Sequence, residues 1–182
     1  MKFTVKNGSM LNARSIALVG IMAATLECGK LVLSFLPNIE VVTILCALYG
    51  YVFGVLGIVA AAGFVCIEPL IYGFGSWIIT YFIYWPLVAF VFMLLRKRGV
   101  KSRLWITLVA VALTFCFGVL SSIVDAAFYL GINKNYLSNL VLYYFRGIAF
   151  YLVQIACNAV LFPTIFLFLA NKLEKIKPSI SI

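Results

Sequence analysis

Four carboxylates, Glu27, Glu40, Glu68 and Asp125, stand within or at the ends of long apolar runs, and so do two cations, Lys30 and Arg146. On insertion scales a charge at the centre of a membrane helix costs about 2.5–3.5 kcal/mol, so each needs a partner, a wet cavity or a route to the interface. Glu27 and Lys30 are three residues apart, the spacing at which side chains meet on a helix surface, and are expected to pair with each other. Glu68 and Asp125 have short side chains that reach an interface poorly, and both are flanked by aromatic residues, which points to a pocket. Glu40, Glu68, Asp125, Lys30 and Arg146 all fall toward corresponding ends of their runs and could share one outward-facing pocket. Trp77, Tyr81 and Trp85 recur every four residues, so they share one helical face. A flat ring could stack there, with Asn133, Asn135 and Asn139 as hydrogen-bond partners. Interfacial aromatic belts account equally well for part of this crowding, which includes Tyr72, Tyr84, Tyr129, Tyr136, Tyr143 and Tyr144. A pocket mixing aromatics with a few polar groups suits a small heterocycle, and the three carboxylates favour a cationic or amine-bearing one.

What must position these residues is a set of transmembrane helices. Of the 182 residues, 65% are hydrophobic and 10% charged, against about 45–50% and about 25% in a soluble domain. Several apolar runs reach the roughly 20 residues needed to cross a hydrocarbon core. The first, Ile16 to Leu36, ends at Pro37 and Asn38, ahead of Glu40. It follows a basic start, as a signal peptide would, but it is too long for one, and Glu27 before Cys28 spoils a lipoprotein cleavage site; it is read as the first span. From Val41 to Tyr72 the chain stays apolar, interrupted by glycines, and could form one tilted helix or two short ones turning near Gly54 and Gly57. The positive-inside tendency decides for two. With six spans and a cytoplasmic N-terminus, eleven of the fourteen Lys and Arg residues (Lys2, Lys6 and Arg14, then Arg96, Lys97, Arg98, Lys101 and Arg103, then Lys172, Lys175 and Lys177) fall on the cytoplasmic side. The other helices are expected at about 77–95, 104–130 and 143–169, with loops at 37–40, 73–76 and 131–139 on the outer face. The expectation is one all-α domain over residues 1–182 with six transmembrane helices and both termini cytoplasmic.

Several functions are disfavoured. The net charge of +9 follows topology and forms no basic face for nucleic acid. The sequence has no histidine, and Cys28, Cys46, Cys66, Cys116 and Cys157 are scattered singly. The cysteines read as small buried hydrophobes, and no metal site or cofactor is expected. No G-x-x-x-x-G-K-[ST] occurs, so any ATP dependence must come from partners. On helix one, Ala13, Ala17, Gly20 and Ala24 follow spacings of four, three and four. Such a stripe of small residues lets another helix approach closely, either a neighbour in the fold or an external partner.

Leu36-Pro37-Asn38-Ile39-Glu40, running through Val41-Val42-Thr43 to Leu48-Tyr49-Gly50-Tyr51-Val52-Phe53-Gly54, resembles the first outer loop and short second helix of substrate-binding S components of energy-coupling factor (ECF) vitamin transporters. Glu68-Pro69-Leu70-Ile71-Tyr72-Gly73-Phe74-Gly75-Ser76-Trp77, continuing to Tyr84-Trp85-Pro86-Leu87, is similar to one subgroup of that family. The resemblance implies a subunit without enzymatic activity in a bacterial plasma membrane. It would bind a vitamin or related micronutrient at the outer face and dock on a transmembrane scaffold subunit carrying two ATPases. It places the scaffold contact on Ala13, Ala17, Gly20 and Ala24. The substrate site would draw on Asn38, Glu40, Trp77, Tyr81, Asp125, Asn133 and Arg146, with Glu68 and Trp85 added from the residues themselves. It also implies that the subunit topples in the membrane to release its substrate inward. Two rivals are a stand-alone ion-coupled transporter using Glu68 or Asp125 as coupling carboxylate, for which no inverted repeat is evident, and a lipid-modifying enzyme, for which no catalytic constellation is found.

Overall fold

The computed structural model describes residues 12–36 and 39–180, with side chains through Lys177. Among them every regular element is a helix: α1 (Ala13–Val32), α2 (Val42–Phe53), α3 (Val55–Tyr72), α4 (Trp77–Lys97), α5 (Arg103–Leu130), α6 (Tyr136–Leu161), a π-helical segment (Phe162–Phe166) and α7 (Leu167–Ile180). Four of these helices (α1, α3, α4 and α5) and the continuous rod Tyr136–Lys177 are long and apolar enough to cross a membrane. The apolar stretch from Val41 to Tyr72 is two helices rather than one, in line with the expectation drawn from the basic residues. They are separated by Gly54 alone, whose φ of +63° suits a residue without a Cβ.

Lys30 near the end of α1 meets Glu68 near the end of α3, so both helices run toward one end of the bundle. α2 runs back between them. Its last turn meets Lys177 through the Val52 carbonyl, and Tyr51 lies under Arg96. That second end also carries the Arg96–Arg103 and Lys172–Lys177 clusters and is called the basic end below.

α2 is the hub. All but one of its 12 residues are buried, as expected of a helix that is apolar on every face. A Cβ on Gly50 would overlap the Ala89 carbonyl, so α2 and α4 touch backbone to backbone. Phe64, Phe92, Phe162 and Phe166 fill the core beside it, all at most 1% exposed. At about 1.5 Å per residue α2 spans about 18 Å, well short of a hydrocarbon core of about 30 Å.

Several helix bounds differ from expectation. α1 begins at Ala13, where the Asn12 side chain accepts a hydrogen bond from the Ser15 amide, and ends at Val32. α6 begins at Tyr136, so the preceding loop is only Gly131–Asn135 and Asn139 is helical. Pro163 does not end the last helix. Its ring excludes the usual i to i−4 bond, and the chain widens into a five-residue π segment before continuing as α7. The cysteines also correct the expectation of uniform burial: Cys46 is buried and Cys157 partly so, but Cys28, Cys66 and Cys116 lie on the outer surface. That surface carries exposed Ile21, Ile67 and Phe115 as well.

Candidate functional site

At the end opposite the basic clusters, α4, α5 and α6 diverge around a cleft of about 560 Å³, within the range of about 300–1,000 Å³ typical of small-molecule sites. Ser76, Trp77, Asp125, Tyr129, Tyr143, Arg146, Gly147 and Tyr151 line it. Ser76, just ahead of α4, donates its hydroxyl to Asp125 Oδ1 at 2.6 Å and so fixes the carboxylate on α5. Across the cleft the Arg146 guanidinium stacks on Tyr143, 5.5 Å from the ring centroid. Asp125 and Arg146 form no ion pair with each other. Opposite charges therefore face the same space, each able to take a ligand group of the other sign. The Tyr151 ring lies against Gly118 of α5 and Gly147 of α6, where a Cβ at either position would collide with it.

Trp77 separates this cleft from a second cluster. The Lys30 ammonium pairs with Glu68 and sits 4.1 Å from the centroid of Tyr72, 5.3 Å from Tyr81 and 5.7 Å from Trp77. Three rings and a carboxylate thus enclose one cation, the geometry in which ring quadrupoles attract positive charge. The expected Glu27–Lys30 pair is corrected: Lys30 reaches across to α3. Glu27 lies within hydrogen-bond reach of Glu68 and electrostatic reach of Lys30, and no other side chain or backbone group donates to either of its carboxylate oxygens or to Glu68 Oε1. The i, i+3 pair on one helix does not form, and Glu27 is left buried without an ion-pair partner.

Deeper in the bundle, Glu40 stands at the start of α2. Its carboxylate accepts from the Thr43 amide at 2.8 Å, the Thr43 hydroxyl at 2.5 Å and Asn158 Nδ2 at 3.3 Å. Asn158 also donates to Thr114 Oγ1 at 3.1 Å, and the Tyr84 hydroxyl faces Thr43 and Thr114. Tyr84 is seven residues into α4, so this layer lies about 10 Å below the first residue of that helix. Polar atoms of Thr80, Tyr84, Trp85, Gln154 and Asn158 in the same region are buried without hydrogen-bond partners.

The expected binding residues therefore divide. Trp77, Asp125 and Arg146 line one cleft; Glu68 and Tyr81 belong to the Lys30 cluster behind Trp77. Trp85, 5% exposed, packs between Tyr84 and Phe117 in the core. Glu40 is separate, at the α2 N-terminus. Asn133 is exposed and turned into its own loop, bonding to the Leu130 carbonyl and the Asn135 amide. Asn38 lies outside the described residues. Ser76 and Tyr151 were not expected. Tyr143, Gly147 and Tyr151 repeat every four residues, as Trp77, Tyr81 and Trp85 do, and that spacing could have marked the opposite wall. Gln154 and Asn158 are likewise four apart in an apolar run.

The small stripe of α1 faces away from the bundle: Ala13, Ala17, Gly20 and Ala24 are all exposed, and a Cβ on Gly20 would meet nothing within 4 Å. α1 seats on its neighbours through Leu18, Met22, Ala23 and Leu26 instead. Among the described residues no group of three or more His, Cys, Asp or Glu side chains is arranged to hold a metal.

The architecture is compatible with a multi-pass membrane protein. No family model, no curated protein and no solved structure matches the chain.

Proposed function

We propose that this chain is the substrate-binding subunit of an ECF-type uptake system, taking a vitamin-like small molecule into the cleft between α4, α5 and α6. The observation that carries the reading is the open cleft lined by both Asp125 and Arg146, which form no ion pair, beside Trp77 and three tyrosines. A ligand suited to it carries a ring and groups of both signs, an amine for Asp125 and an acidic or acceptor group for Arg146. In this reading α2 is a short sixth segment that returns the chain across the bundle interior without spanning the full hydrocarbon core by itself, the basic end and both termini are cytoplasmic, and the cleft opens outward. The bacterial plasma membrane is the matching location.

The exposed stripe Ala13, Ala17, Gly20 and Ala24 supports docking on a transmembrane scaffold, since close approach between small residues is what holds helices together in lipid. ATP would be hydrolysed by the two ATPases on that scaffold. The test is uptake into proteoliposomes holding this chain with an ECF scaffold and its ATPases. ATP-dependent accumulation supports the reading. Accumulation by this chain alone, driven by an ion gradient, overturns it in favour of an ion-coupled transporter. That second reading draws on one observation: Glu27 and Glu68 keep three carboxylate oxygens without donors beside a single ammonium, an arrangement open to a coupling cation.

A further inference from the structure

At the basic end, residues of α2, α3, α4 and α7 enclose a second cleft, of about 460 Å³, lined on its polar side by Arg96, Lys97, Glu174 and Lys177. Three cations there face one carboxylate. Glu174 is held by Arg96 at 2.7 Å, while the guanidinium rests on the Tyr51 ring at 5.3 Å. A guanidinium has five N–H donors in a fixed fork, so one carboxylate leaves most of them open. The Lys177 ammonium spends one donor on the Val52 carbonyl at 2.8 Å and keeps two. Lys97 is exposed and enters no ion pair. The cleft thus holds two positive charges in excess. Its other side is apolar: Phe53 and Met93, both largely buried, and Val55, 46% exposed at the bundle surface.

We infer that this cleft binds a phosphate group, that of an anionic phospholipid. Phosphate oxygens match both an arginine fork and clustered ammonium groups, and basic clefts between helices at a membrane surface take anionic headgroups. The lipid is the favoured source because charge and apolar surface meet in one cleft. A headgroup on Arg96, Lys97 and Lys177 leaves its acyl chains beside the exposed Val55, where a soluble phosphate would have nothing to contact. Gly54, which also lines the cleft, adds no side chain to obstruct approach. None of these residues belongs to the Asp125–Arg146 cleft, so the inference stands apart from the transport reading.

The test is native mass spectrometry of delipidated full-length protein titrated with phosphatidylglycerol or phosphatidylcholine of identical acyl chains, with and without inorganic phosphate. The wild type should retain phosphatidylglycerol about tenfold better, and Lys97→Gln or Lys177→Gln should each lower that retention about fivefold. Lys177→Gln also removes the Val52 contact; should it unfold, Lys97→Gln, which disturbs only an exposed ammonium, carries the test. Equal retention of the two lipids, or undiminished phosphatidylglycerol binding in Lys97→Gln, overturns the site. Full competition by inorganic phosphate overturns the lipid assignment and makes a soluble phosphate the ligand.

Discussion

Lys30 on α1 gives its ammonium to Glu68 on α3, 38 residues away in sequence, and not to Glu27 one turn behind it. The pair ties two helices together under a canopy of Tyr72, Trp77 and Tyr81. Removing one member of a buried ion pair costs about 3–5 kcal/mol, because the other charge is left uncompensated. Lys30 is 27% exposed and Glu68 is not exposed at all, so the burden falls on the carboxylate. Lys30→Met should therefore lower the thermal midpoint in detergent more than the double variant Lys30→Met/Glu68→Gln does. A double variant that loses as much as the two single changes added together would show that the residues do not act as a pair.

The junction of α2 with α4 gives a second expectation. A methyl group on Gly50 has the Ala89 backbone in its way, not a movable side chain. Gly50→Ala should destabilise by about 1–3 kcal/mol or more, measured by thermal or denaturant unfolding in micelles. Gly20→Ala, in open space, should leave stability within about 0.5 kcal/mol.

Much of this architecture was legible in the sequence because a bilayer imposes lengths. Runs of about 20 apolar residues announce α1, α4 and α5, and the basic block Arg96 to Arg103 favoured two helices between Val41 and Tyr72 over one. The site was legible by halves. Helical spacing put Trp77 and Tyr81 on one face, and both do lie together. Trp85 continues that face, 5.4 Å from Tyr81, but spacing could not show that it is buried, since that depends on where Phe117 of α5 comes to rest. Local rules also favoured Glu27 over Glu68 as the partner of Lys30, because i, i+3 neighbours are visible in sequence and the α1–α3 crossing is not. Asn133 lies apart from the cleft lining, and its amide closes its own five-residue turn.

For ligand binding, Asp125→Asn and Arg146→Gln should each weaken affinity by about 10- to 100-fold, since a hydrogen bond to a charged group contributes about 1.5–3 kcal/mol. Both residues lie at the cleft surface, so circular dichroism and thermal unfolding should change little. Asn133→Ala should bind as the wild type does. Equal loss in all three variants would place the ligand elsewhere.

Docking is separable from binding. Ala17→Trp puts a bulky ring on the exposed face of α1. It should abolish co-purification with an ECF scaffold subunit while ligand affinity stays at the wild-type value. An intact complex would remove the stripe from the account.

The central claim is that a small molecule carrying a ring and groups of both signs occupies the Asp125–Arg146 cleft. The most direct measurement is native mass spectrometry of the purified protein, followed by calorimetric titration of any vitamin-sized species it carries into the wild type and Asp125→Asn. The account predicts one co-purified ligand, bound tightly by the wild type and at least about tenfold more weakly by the variant. A protein that carries nothing and shows no heat with a broad vitamin panel would contradict it.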